Sequence, residues 1–141
     1  MADPVQPTNV ALAIAASALQ AQQARMRVIA ENLANADSTA RTADGDPYRR
    51  RVVSFRNVLD RSLGASVVRV DRVVPDRSEF RQRFDPQHPA ANAEGYVQLP
   101  NVNPLIEMMD MRQAQRSYEA NLSMIEVARG MVQRTIDILR S

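Results

Sequence analysis

The side chains that could do chemistry are few in this sequence and poorly placed to cooperate. There is a single histidine, His88, in the run Asp85-Pro86-Gln87-His88-Pro89. With prolines on both sides, no second histidine and no HExxH-type spacing, it reads as a loop residue rather than as a metal ligand or general base. Asp44 and Asp46 flank Gly45, but no calcium-loop register follows, so they mark a turn. Cysteine is absent. That removes disulfides, thiolate metal sites and a cysteine nucleophile. No glycine-rich phosphate loop and no nucleophile elbow occurs. The residues therefore suggest no catalytic, metal or cofactor site.

Three weaker signals need a reading. Arg49-Arg50-Arg51 after Tyr48 has the charge to contact phosphates. Between Asp37 and Asn103, however, acidic residues nearly balance the arginines, which fits one charged strand face better than a nucleic-acid footprint. Met108, Met109 and Met111 have the softness of a peptide groove, but at helical spacing they read as a helix interface. Asn121-Leu122-Ser123 has the form of a glycosylation acceptor, yet it falls inside a helical apolar seam.

The bulk numbers suit a small aliphatic protein. The chain has 141 residues, 45% hydrophobic but only 4% aromatic, without tryptophan. All 18 basic residues are arginine and the formal net charge is only +2, so the high isoelectric point follows from arginine usage. From Pro4 to Ala24 there is no charge, and Val10 to Leu19 is continuously apolar or small. That run is too short to span a bilayer, and the residues before it carry Asp3 and no arginine. A cleaved leader and direct membrane insertion are not expected.

The pattern predicts a mainly α protein: two long terminal helices forming a coiled-coil-like domain, with a small antiparallel β insertion between them. The first helix is expected from Asn9 to about Ala36, after a non-helical lead at Asp3-Pro4 and Gln6-Pro7-Thr8-Asn9 and with Thr8 or Asn9 as cap. Leu12, Leu19, Met26 and Leu33 recur every seven residues, and Ala15, Gln22, Ile29 and Ala36 follow three residues after each. The second helix is expected over 104–140, capped by Asn103 with Pro104 in the first turn. Met108, Met111, Gln115, Tyr118, Leu122, Ile125, Arg129, Val132, Ile136 and Leu139 trace its seam; Met124, Val127, Met131 and Ile138 lie on its other side. A helix apolar on two faces expects a partner on both. Gln115 and Arg129, polar at seam positions, are expected to fix register or partner choice. The segment 37–103 holds 11 of the 18 arginines. Its alternating runs, Tyr48–Phe55, Val67–Val74, Glu79–Phe84 and Gly95–Leu99, predict strands, with Val68, Val70 and Val74 sharing a face and Phe80 and Phe84 another.

Several of these stretches resemble a known family. Glu31-Asn32-Leu33-Ala34-Asn35-Ala36-Asp37-Ser38-Thr39, closing the first helix, is similar to the N-terminal signature of flagellar rod and hook proteins. Pro47 to Arg51 and Phe55 resemble the family's next block. The run Phe84 to Val97, with Asp85, Pro86, His88, Pro89, Asn92, Gly95 and Tyr96, resembles one type of proximal rod subunit in particular. Pro100 to Met108, with Asn101 and Asn103, and Met111 to Asn121 do so as well. The likeness runs from about Val10 to Leu139 and is loosest over Ala65 to Arg83.

The resemblance implies a structural subunit of the flagellar basal-body proximal rod. Its terminal helices would pack with copies of itself and with other rod proteins in a helical array, the insertion facing outward. It implies export through the flagellar type III apparatus without a cleaved leader, a place in the rod across the periplasm, and neither cofactor nor nucleic-acid partner. Phe55-Arg56-Asn57-Val58-Leu59 is similar to an export element of the family. The expected packing residues are Leu12, Leu19, Met26 and Leu33 with Met108, Met111, Tyr118, Leu122, Ile125, Val132, Ile136 and Leu139. In the isolated chain the terminal helices are expected to be partly disordered.

Overall fold

A computed structural model describes residues 6–141. The elements run α1 (Pro7–Ala34), β1 (Arg51–Asp60), β2 (Ala65–Pro75), β3 (Arg81–Phe84), β4 (Tyr96–Leu99) and α2 (Pro104–Arg140). This is the helix–insertion–helix order that the periodicities predict.

Helix α1 starts two residues before the expected Asn9. Gln6 is its extended N-cap residue, without a side-chain hydrogen bond, and Pro7 occupies the first turn. The proline ring holds φ near its helical value and the missing N–H would have no partner there, so no Thr8 or Asn9 cap is needed. The lead at Asp3-Pro4 lies outside the described residues. The helix stops at Ala34, where the Asn35 carboxamide donates to the Glu31 carbonyl at 2.8 Å. Helix α2 begins as its pattern predicts: the Asn103 side chain accepts from the Leu105 N–H at 3.1 Å and Pro104 follows in the first turn.

The two helices pack antiparallel, as the contacts Asn32 to Glu107 and Arg25 to Gln113 require. Small side chains make the close approach: Ala15, Ser17 and Ala21 are buried on α1, and Ala114 and Ala128 on α2. The α2 seam therefore differs from the expected one in a definite way. Met111, Tyr118 and Ile125 are half-buried on it, but Glu107, Ala114 and Ala128 stand where Met108, Gln115 and Arg129 were expected, and those three are exposed. Hydrophobicity favours the larger side chains; close helix approach favours the alanines one residue earlier.

The insertion consists of two separate hairpins. In the first, β1 and β2 pair antiparallel around a turn closed by Gly64, whose φ of +66 suits glycine and whose N–H donates to the Asp60 carbonyl at 2.9 Å. This hairpin lies back along α1: the Val68 N–H donates to Ser17 Oγ at 3.1 Å and Val67 is buried. One irregularity corrects the expected strand face. Ser54 pairs with Arg72 and Phe55 with Val70, leaving Asp71 as an extra residue. Such a bulge swaps the alternation beyond it, so Val73 joins the face of Val68 and Val70, and Val74 moves to the other.

In the second hairpin, β3 pairs with β4 in the register Arg81↔Leu99 to Phe84↔Tyr96. The expected Phe80–Phe84 core face does not form. Phe84 is 63% exposed and packs edge-on to Tyr96, with ring centroids 5.4 Å apart. The buried side belongs to β4 and the segment after it: Val97, Leu99, Pro100 and Val102 form a small core with Ala36 and Ala90.

Candidate functional site: a polar junction and an open helix face

The interior is most polar where α1, α2 and the start of β1 meet. Asn32 is 1% exposed and Glu107 fully buried. Isolated, both would be costly; here each is partnered. The Asn32 carboxamide clamps one peptide unit on each of its groups: its Oδ1 accepts from the Arg51 N–H at 3.0 Å, and its Nδ2 donates to the Arg51 carbonyl at 2.9 Å. The Tyr48 hydroxyl donates to the same Oδ1 at 2.8 Å. The remaining Nδ2 hydrogen points at Glu107 Oε2, 3.4 Å away. The carboxamide thus has every partner it can take.

Glu107 in turn accepts from Arg50 Nε through its other oxygen. The Arg50 guanidinium also reaches Asp76 Oδ2 at 3.2 Å and Asp110 Oδ2 at 3.5 Å. Burial works against the Arg50 charge, but the hydrogen bonds and ion pairs to Glu107 and Asp76 outweigh it and hold the guanidinium above its usual pKa. The Ser78 N–H, with Arg50 adding to it, holds the Asp76 carboxyl below its usual range. Burial raises the Tyr48 phenol. Asn101 completes the cluster: its Oδ1 accepts from the Arg50 N–H at 2.7 Å, and its Nδ2 donates to the carbonyls of Asp76 and Ser78.

The basic run is spent on these contacts. Arg49 donates to the same two carbonyls and stacks on the Phe80 ring at 4.1 Å; Arg51 pairs with Glu31 at 3.0 Å. Among the described residues no group of three or more His, Cys, Asp or Glu is arranged to hold a metal ion.

The other motif residues hold loops. His88 Nδ1 accepts from the Ala90 N–H at 3.0 Å, which leaves Nε2 to donate to Thr39 Oγ1 at 3.3 Å and ties the insertion to the segment after α1. Asn92 Oδ1 accepts from the N–H groups of Glu94 and Tyr96. Asp85 donates its N–H to the Gly95 carbonyl. Gly95 has φ +89, and a Cβ there would lie 2.8 Å from Phe84 Cε2 and 3.1 Å from Pro86 Cβ. Pro89 is exposed, Leu33 half-buried and Ala34 exposed.

The expected packing residues fall into two groups. Leu12, Leu19 and Met26, like Leu33, are half-buried on α1, as are Met111, Tyr118 and Ile125 on α2. Met108, Leu122, Val132, Ile136 and Leu139 are exposed. On the other side of α2, Met124, Val127, Met131 and Ile138 stand 59%, 64%, 56% and 72% exposed. No described helix is long and apolar enough to cross a membrane.

Sequence reasoning missed Glu107, Arg50, Tyr48 and Asp76 as a unit. An acidic residue in the first turn of a helix reads as a dipole partner, and one arginine of three carries no mark of burial.

Comparison with known proteins covers both ends of this architecture. Residues 12–41 match the family described as "Flagella basal body rod protein", and residues 93–138 match "Flagellar basal body rod FlgEFG protein C-terminal". The flagellar basal-body rod protein FlgC of Agrobacterium fabrum is 47% identical over 96% of this chain and 97% of its own length. FlgC of Bacillus subtilis is 42% identical over 90% and 95%, and FlgC of Salmonella typhimurium 39% over 89% and 92%. Helix pair, motif-bearing junction and near full-length identity agree: the chain belongs to the FlgC family of flagellar basal-body rod proteins.

Proposed function

We propose that this chain is a structural subunit of the proximal part of the flagellar rod, built into a helical array with copies of itself and other rod proteins. Its chemistry is packing: torque passes through buried side chains, with no reaction and no cofactor. The single observation that carries this reading is the outer face of α2. Met124, Val127, Met131 and Ile138 form an apolar stripe that none of the described residues covers. A stripe of large apolar side chains over several turns of a helix marks a protein interface. A heterologous contact repeated from copy to copy builds an open helix of subunits.

The same reading places the subunit in the periplasmic span of the rod, delivered by the flagellar type III apparatus without a cleaved leader. Phe55 and Leu59, 36% and 62% exposed on β1, are accessible as the recognition element in that step.

The test is Val127→Asp in a cell lacking the wild-type chain. The variant should be made and exported at ordinary levels, yet basal bodies should lack a rod and cells should not swim. Normal swimming would sink the reading.

A further inference from the structure

The seam between α1 and α2 has more than one good fit. On α2, Met111, Tyr118 and Ile125 recur every seven residues and Val132 continues the row; on α1, Leu12, Leu19, Met26 and Leu33 do the same. Sliding one helix along the other by a heptad, about 10 Å, again sets apolar against apolar. A repeat of this kind fixes which faces meet and specifies register weakly.

Asn32 and Glu107 break the repeat. Seven and fourteen residues along α2 from Glu107 stand Ala114 and Asn121, and Asn121 satisfies its own amide on the Ser117 carbonyl at 2.9 Å. A slip by one heptad sets Asn32 against Ala114 or beyond the start of α2. Either way its buried carboxamide loses Glu107, and Arg50 loses its most buried partner. Each orphaned group then carries its desolvation penalty. The pair also holds the insertion, because the same carboxamide clamps both backbone groups of Arg51 at the first residue of β1.

We infer that the Asn32–Glu107 pair, held by Arg50, is a register lock, selecting which turn of α1 meets which turn of α2 and where β1 joins them. Its contribution is to specificity more than to stability, since a satisfied buried polar network roughly breaks even against apolar side chains of similar size. The residues expected for this role, Gln115 and Arg129, are exposed and off the seam. The inference concerns the single chain and does not depend on the rod reading.

The chain has no cysteine, so reporter pairs can be placed cleanly. Arg25→Cys with Gln113→Cys reports the observed register, because these side chains meet at 3.3 Å. Arg25→Cys with Ala120→Cys reports a slip of one heptad. Each pair is introduced into the full chain with the native junction and with Asn32→Leu plus Glu107→Met, then treated with a short bifunctional maleimide. With the native junction the first pair should be captured at least about tenfold faster than the second. With the apolar junction the far-ultraviolet helical signal should persist while that preference falls to about threefold or less. A preference unchanged by the apolar junction would show that the seam sets its own register, overturning the inference. So would loss of the helical signal, because the pair would then be a requirement for folding rather than a selector among folds.

Discussion

The two ends of α2 are built on opposite rules. Near its start, a carboxylate is fully buried and each polar partner around it is hydrogen-bonded. Toward its end, residues 131–140 are all exposed, although Met131, Val132, Ile136, Ile138 and Leu139 are among them. The first end inverts the usual preference by hiding charge, the second by showing hydrocarbon. Hidden charge is tolerable because the chain itself supplies the partners, from residues as far away as Asn32 and Arg50. Shown hydrocarbon is tolerable when another molecule supplies the cover. One end of the helix is finished within the chain; the other, in the proposed rod, is finished by assembly.

Breaking the finished end should cost most. Asn32→Asp removes both amide donors and sets a second carboxylate beside Glu107. Stability should drop by roughly 3–5 kcal/mol, read as a lower urea midpoint. Gly95→Ala probes the loop that carries the second hairpin. The added Cβ meets Phe84 and Pro86, and the positive φ is strained for alanine, so about 1–3 kcal/mol should be lost in the same assay. A loss near zero would mean that the Phe84 ring swings aside freely.

Gln22→Met should act the other way. Gln22 Oε1 is buried without a hydrogen-bond partner among the described residues, and removing it should stabilise the chain by about 1 kcal/mol. Acid should act more gently. The Asp76 pKa is lowered in the fold, so its contribution is present at neutral pH, above the unfolded-state value, and is lost as pH falls through the folded-state value. Unfolding midpoints measured downward from neutrality should decline below the ordinary carboxylate range, and Asp76→Asn should flatten that decline. The smallest effect on stability belongs to the open end. Val127→Asp should change the urea midpoint by no more than about 0.5 kcal/mol in equivalent stability, while abolishing rod assembly. Equal damage to both would erase the distinction between the two ends.

Much of this was legible in the residues. Sustained heptads announce two helices, Asn103-Pro104 marks the start of the second, and alternating runs announce the antiparallel strands. What failed to show has physical causes. The bulge at Asp71 depends on how β1 and β2 settle their register, and no local feature distinguishes Asp71 from its neighbours. One of the two rows of the α2 seam moved by one residue because close approach to the α1 alanines outweighs side-chain size, a property of the pair and of neither helix alone. Phe84 reads as core in a strand of alternating type, but the side of the second hairpin that meets the small core is taken by Val97 and Leu99.

The motif residues divide in the same way. Gly95 and Asn103 act within a few positions of themselves, by positive φ and by capping, and such roles are visible locally. Asn32, Arg50 and Glu107 act across 57 and 75 positions. In sequence Asn32 is one polar residue near a helix end and Glu107 one acid in a first turn. By itself the sequence determined the two amphipathic helices, the β insertion and the unpartnered outer face of α2, because those follow from periodicity along a chain. Only the tertiary structure decided that a buried carboxylate and a saturated asparagine join the helices to the insertion, because a polar group is safe to bury only where distant parts of the chain bring its partners.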